Sequence, residues 1–255
     1  MKSEQSSPPP PSPSQALPQW QEAPAPPVVL RSLRGPAVAA MVMLGLVVLV
    51  ELLDAFVSLV VRADYQRLVD DPGLPGDLAV ADEVVGAMVS MVSMVAFVVC
   101  GLVFLFWFHR ARGNAPALAP WQRQSRSPGW TVWGWIVPVV SFWFPYQMTR
   151  DVWRATAPQE GPAPTTGLLR WWWALWLVAQ GAGMVDAQMY GAAREPAEYV
   201  LSFSLAAATD LLDAVAAVLA ILVVRRLTAL QTAATARYAA GPQVSWQWAA
   251  SGRQP

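Results

Sequence analysis

SPGWTVWGWIVPVVSFWFPYQMTRDVWRAT, residues 127–156, is an apolar, Trp-rich run that is broken by Pro138 and Pro145 and then turns basic. Whether it crosses a membrane or enters and returns decides the topology of everything after it. Ser127 suits a helix N-cap and Pro128 a first helical position, so a helix is expected to begin there. Pro138 should interrupt it and Pro145 should interrupt the next piece. Residues 128–145, at about 1.5 Å per residue, either just reach across a bilayer or form a broken hairpin, and length does not choose. Residues 146–156 read as a short amphipathic helix, with Trp153 available to the interface and Arg150 and Arg154 four apart on one side.

The flanking sequence sets the class. Of the 255 residues 55% are hydrophobic and 13% charged, and the apolar ones gather in long blocks, as in a polytopic membrane protein. Four blocks read as spans, at about 36–61, 84–108, 169–190 and 200–224, within a membrane domain over residues 36–240. Residues 1–35, rich in Pro and Ser, read as a disordered cytoplasmic tail, and 241–255 as a second disordered tail. No apolar h-region follows a basic start, so no cleaved signal peptide is expected. Residues 62–83 form an acidic outer loop, and 109–126 an Arg-rich inner linker. The single Cys100 lies in an apolar block and reads as packing. Met88, Met91 and Met94, with no Cys or His beside them, read as adaptable packing rather than a Cu(I) path. Gly86 and Ser90, four apart, suit a close helix contact.

Charge makes the choice that length does not. If 127–156 folds back, twelve Arg lie on the cytoplasmic side, from Arg31 to Arg237, and three lie outside, Arg62, Arg67 and Arg194. If it spans, the count becomes seven inside and eight outside. Positive residues accumulate on the cytoplasmic side of membrane proteins. The expected fold is therefore an all-α polytopic bundle of four transmembrane helices with a re-entrant or interfacial Pro/Trp-rich element at 127–156. Both termini are then cytoplasmic, in the plasma membrane.

With these pieces placed, the chain resembles an actinobacterial membrane family known as domain of unknown function 4328. The matching pieces are FWFHRARGNAPAL (106–118), SPGWTVWGWIVPVVSFWFPYQMTRDVWRA (127–155), LLRWWWALWLV (168–178) and LLDAVAAVLAILVVRRLTALQ (211–231). The resemblance implies an integral membrane domain behind a Pro-rich N-terminal region. It brings no activity, substrate or site residue with it.

Two acid pairs stand inside the expected spans, Glu51 and Asp54 in the first and Asp210 and Asp213 in the fourth, each spaced to share one helix face. A mid-membrane Asp costs about 2.5–3.5 kcal/mol on the insertion scale, so the second pair nearly offsets the gain from its apolar neighbours. These acids should face a partner, and with no Lys or Arg at their depth they need a proton, a cation or water. One reading is a proton or cation pathway. The other is hydrogen bonding to Ser58, Thr209, Gln180 or each other that only holds helices together. Asp186 is expected to reach headgroups.

A second candidate is the cytoplasmic Arg/Trp face. Arg110, Arg112, Asn114, Tyr146, Arg150, Trp153, Arg154 and Arg170 could there hold anionic lipid headgroups or a protein partner. His109, the only histidine, supplies neither a metal site nor a catalytic pair. No enzyme, cofactor, metal or nucleic-acid role is expected, and homo-oligomerisation stays open. The leading expectation is a non-enzymatic scaffold or regulator acting through the Arg/Trp face. The alternative is a small proton or cation transporter using the acid pairs.

Overall fold

The computed structural model describes residues 30–158, 162 and 164–239. Both expected tails lie almost wholly outside these residues, as does most of the Pro/Gly loop after residue 158. The described chain is all-helical: α1 (Arg34–Asp70), α2 (Asp77–Leu118), α3 (Trp130–Ile136), a 3₁₀ turn (Val140–Phe142), α4 (Phe144–Arg154), α5 (Gly167–Ala192) and α6 (Pro196–Ala239). The long helices sit side by side in the order α2, α1, α6, α5. The outer members, α2 and α5, do not pack along each other.

The central pair shows why these sequences associate. The buried residues of α1 include Ala37, Ala40, Leu44, Val47, Glu51, Asp54, Ser58, Val61 and Tyr65, a strict three–four alternation that draws one straight seam along the helix. α6 answers with Ser202, Thr209, Ala216, Ala220, Val223 and Leu227. Small residues on both sides let the backbones approach closely, which is how helices associate where no water drives them together. The large apolar side chains point the other way: Leu49, Phe56, Met91, Leu102 and Leu201 are all exposed. A polar seam inside and an apolar surface outside is the arrangement a hydrocarbon solvent selects.

Among the described residues three helices are long and apolar enough to cross a membrane, Arg34–Asp70, Glu83–Leu118 and Pro196–Ala239. Of the four expected spans, the one in α5 is not among them. α5 has 26 residues, about 39 Å at 1.5 Å per residue, but Arg170, Gln180, Asp186 and Gln188 dilute its apolar character. The expected outer loop is mostly helix as well, because α1 runs on to Asp70 and α2 begins at Asp77. Likewise α2 continues through His109 to Leu118, taking up much of the expected linker.

The 127–156 stretch folds back on itself. α3 starts at Trp130, two residues later than its sequence suggests, after a turn in which the Trp130 N–H donates to the Ser127 carbonyl at 3.1 Å. Pro138 ends it. The Val140 N–H then donates to the Pro138 carbonyl at 2.8 Å, and Val139 between them has φ 68° and ψ −60°. That is a γ-turn of the strained hand, rare for a β-branched residue. Pro145, expected to break a helix, instead opens α4, where its fixed φ suits the first turn. The two arms meet at Gly134, whose missing Cβ would lie 3.0 Å from Met148 Cε and 3.3 Å from Phe144 Cβ. Trp130 packs edge-on against Phe144, with centroids 4.9 Å apart, and the Arg126 guanidinium lies 3.9 Å over the same ring.

This hairpin bridges the two outer helices. Trp135 touches Phe104 on α2 at 5.5 Å and Trp173 and Trp176 on α5 at 6.0 and 6.1 Å, and the Trp173 indole donates to the Phe142 carbonyl at 3.0 Å. Its far side is apolar and uncovered, with Trp133 60% exposed beside Ile136, Val139 and Phe142.

Candidate functional site

Antiparallel helices bring the acids together. α1 and α2 reflect about the turn at residues 71–76, which sets Ser90 and Ser93 opposite Asp54. Both hydroxyls donate to its carboxylate, at 3.0 and 2.8 Å. α5 and α6 reflect about residues 193–195, so Ser202 meets Asp186 at 3.1 Å. α1 and α6 also run antiparallel, and here Ser58 donates to Asp210 at 3.5 Å while Arg62 reaches Ser204 at 2.7 Å. Asp210 interacts electrostatically with Asp54, Glu51, Asp186 and Asp213. The four acids picked out in sequence thus share one seam. Asp186, expected among headgroups, joins them through Ser202 and Asp210.

Of the expected partners, Ser58 bonds to an acid, whereas the Thr209 hydroxyl has none of the described residues as partner. Ser90 and Ser93 take the larger share. No described Lys or Arg pairs with Glu51, Asp54, Asp210 or Asp213. The acids are strung along the seam rather than converging, and among the described residues no group of three His, Cys, Asp or Glu forms a metal cage.

At the end of the seam beside the turns at 71–76 and 193–195, Glu83 of α2 accepts the Tyr65 hydroxyl at 2.8 Å and also the Tyr190 hydroxyl of α5. Tyr65 stacks on Tyr199 at 4.7 Å, and Tyr190 meets the edge of the same ring. Four helices are tied here.

Toward the opposite end the seam opens into a cavity of about 240 Å³. Glu51 and Asp213 line it together with Leu44, Cys100 and Ala217, while Phe104, Trp135, Trp172 and Trp176 supply aromatic wall. Cys100 is buried and free, in keeping with a packing role. The two carboxylates are the charged groups among the lining residues. The separation of α2 from α5 leaves room for the cavity, and the hairpin's Trp135 spans them.

The expected Arg/Trp face is dispersed by the fold. Trp153, expected at the interface, is 2% exposed and lies in the core. Asn114 is 3% exposed and holds both the N–H and the carbonyl of Arg31 at 2.9 Å. Asn114 also donates to Gln231, which itself donates to the Ala111 carbonyl at 2.7 Å. It is a clasp between the start of α1, α2 and α6. Arg112 is buried, donates to the Arg126 carbonyl and is attracted by Asp151 of α4. Arg150 lies 6.0 Å over Tyr146 and Arg110 5.6 Å over Phe106. Arg154 and Arg170 remain exposed.

A family model described as domain of unknown function (DUF4328) matches residues 71–229, more than half of the chain. No curated protein and no solved structure matches it.

Proposed function

The chain belongs to the family described as domain of unknown function DUF4328, so its activity has to be read from its own side chains, and we propose that it is an integral membrane protein that moves protons or a small cation along the carboxylate seam. Four helices cross in this reading, α5 being carried by its packing on α6, with the hairpin at the cytoplasmic end and both termini inside. The observation that carries it is the line of hydroxyl contacts along one seam, Ser90 and Ser93 on Asp54, Ser58 on Asp210 and Ser202 on Asp186, with no described basic residue paired to these acids. Acids strung along one seam inside a membrane with no basic partner need protons or cations, and intramembrane carboxylates of this kind mark ion and proton pathways. The hydroxyls of Ser58, Ser90, Ser93 and Ser202 at their oxygens can pass a proton, since a hydroxyl both donates and accepts.

Purified protein in liposomes with an entrapped pH-sensitive dye tests the reading. The expected result is proton or cation flux that Asp210→Asn abolishes and that Arg154→Ala leaves intact. Absence of flux across a broad pH range would remove the proposal.

A second reading concerns the inner face. The exposed Trp133, Ile136, Val139 and Phe142 of the hairpin, with Trp171 73% exposed at the start of α5, suit an element seated in the inner leaflet. Arg154 and Arg170 would then meet anionic headgroups. Salt-sensitive binding to anionic vesicles, reduced by Arg154→Ala with Arg170→Ala, is the expected result, and equal binding to neutral vesicles would exclude it.

A further inference from the structure

We infer that the cavity at the inner end of the seam is a binding site for an amphiphilic organic cation, an ammonium head on an apolar body. The site is the end of the same carboxylate line, so this rests on the cation-handling reading above and names the chemistry that the line accepts.

Three observations converge on that class of ligand. First, Glu51 is 9% exposed, lines the cavity and has no hydrogen-bond or ion-pair partner among the described residues. Its neighbours on the seam differ: Asp54 holds two serine hydroxyls and Asp210 one. A carboxylate that opens onto a largely apolar cavity and takes no donor from the protein is free for one on a ligand, and an N–H-bearing cation is the partner that suits it. Second, Asp213 lines the same cavity, so two acids and no basic residue face the space. A cation is drawn in and an anion turned away.

Third, the remaining wall is apolar and aromatic. Phe104 and Trp135, Trp172 and Trp176 supply ring faces and edges that hold hydrocarbon, and ring faces also attract cations. A hydrated inorganic ion has no use for such a wall, and the seam offers it no cage of three acids. An amine with an apolar tail uses both halves, its head at Glu51 and Asp213 and its body against the rings. Entry is available beside Phe97, a lining residue of α2 that is 45% exposed. In a membrane that side is hydrocarbon, where amphiphilic amines accumulate.

The full chain in detergent micelles is titrated with 4-phenylbutylammonium and with its uncharged analogue 4-phenylbutan-1-ol, following tryptophan fluorescence and heat. The expected result is saturable binding of the ammonium, about tenfold or more tighter than the alcohol, the scale of one charge-assisted hydrogen bond. Glu51→Gln should bring the ammonium down to the alcohol's affinity. Leu44→Trp, which fills part of the cavity from its α1 wall, should weaken both. Equal affinity of the two probes on the wild-type protein would overturn the inference and leave an apolar lipid-filled space. So would an unchanged ammonium affinity in a monodisperse Glu51→Gln protein, or no saturable binding at all. Asp210→Asn separates this from the transport reading, because it should stop flux and spare ammonium binding. Flux without ammonium binding would sink the inference alone, and binding without flux would sink the transport reading alone.

Discussion

Gly134 offers the most direct way to ask whether residues 127–156 are folded back. It sits in α3, and a Cβ there would lie 3.0 Å from Met148 Cε and 3.3 Å from Phe144 Cβ on the returning arm. Both neighbours are buried, Met148 completely, so neither has open space to move into. Replacing a helical Gly by Ala ordinarily gains about 0.8–1 kcal/mol. Overpacking a filled site costs about 1–3 kcal/mol. Gly134→Ala should therefore come out destabilised by about 1 kcal/mol, and Gly134→Val, which adds two more methyls to the same gap, by about 2–3 kcal/mol. For a chain of this size each kcal/mol lowers the melting temperature by about 2–4 °C. Gly113, in α2 with nothing near its missing Cβ, is the internal control, and Gly113→Ala should melt at or slightly above wild type. Melting of the three variants in one detergent, followed by tryptophan fluorescence, gives the comparison. A Gly134→Val protein as stable as Gly113→Ala would mean that α3 and α4 do not touch here, and the hairpin would have to be abandoned.

Val139→Gly should raise the melting temperature by a few degrees. It relieves a strained turn worth about 1–3 kcal/mol against about 0.5–1 kcal/mol of added chain entropy, and a lower melting point would show that the Val side chain holds the turn instead. Asn114→Ala should cost about 1–3 kcal/mol, because it leaves the Arg31 backbone groups and Gln231 without a buried partner. A surface residue in that place would show no change in melting. Ser90→Ala with Ser93→Ala should slow flux in liposomes by roughly tenfold or more and also lower the melting temperature, since the buried Asp54 carboxylate loses both of its hydroxyl donors. Flux at the wild-type rate would place the pathway elsewhere.

Much of the fold can be read from the chain because the physics is local. Pro138 ends α3 because it removes a donor and crowds the preceding turn. Gly86 and Ser90 mark the contact of α2 with α1, and the structure puts Val57 3.6 Å from where a Gly86 Cβ would be. The acid pairs stand out because a carboxylate in an apolar block has few explanations. Other features depend on how helices are registered. Ser93 is an unremarkable residue until reflection of α2 about residues 71–76 sets it against Asp54, and Asp186 looks interfacial until the turn at 193–195 brings it to Ser202. The same reflection was available to arithmetic on the sequence, since Asp186 and Ser202 are equidistant from Arg194. Burial of Trp153 and Asn114 was not. Beside Arg residues each resembles a surface group, and only packing of α4 and of the start of α1 shows otherwise. The role of α5 also escapes composition, because Trp172, Trp173 and Trp176 serve a cluster with Phe104 and Trp135 while Trp171 stays exposed.

The central claim is that the hairpin stays on the cytoplasmic side while α5 and α6 both cross, so that the carboxylate seam runs inward from the outer face to the cavity. Single cysteines at two exposed positions, Thr165→Cys before α5 and Tyr238→Cys near the end of α6, in a Cys100→Ala background, test it in intact cells with a membrane-impermeant maleimide. The account predicts that neither position is labelled until the membrane is opened. Labelling of both from outside would mean that residues 127–156 span, and labelling of Tyr238→Cys alone would mean that α5 does not cross; either result contradicts it.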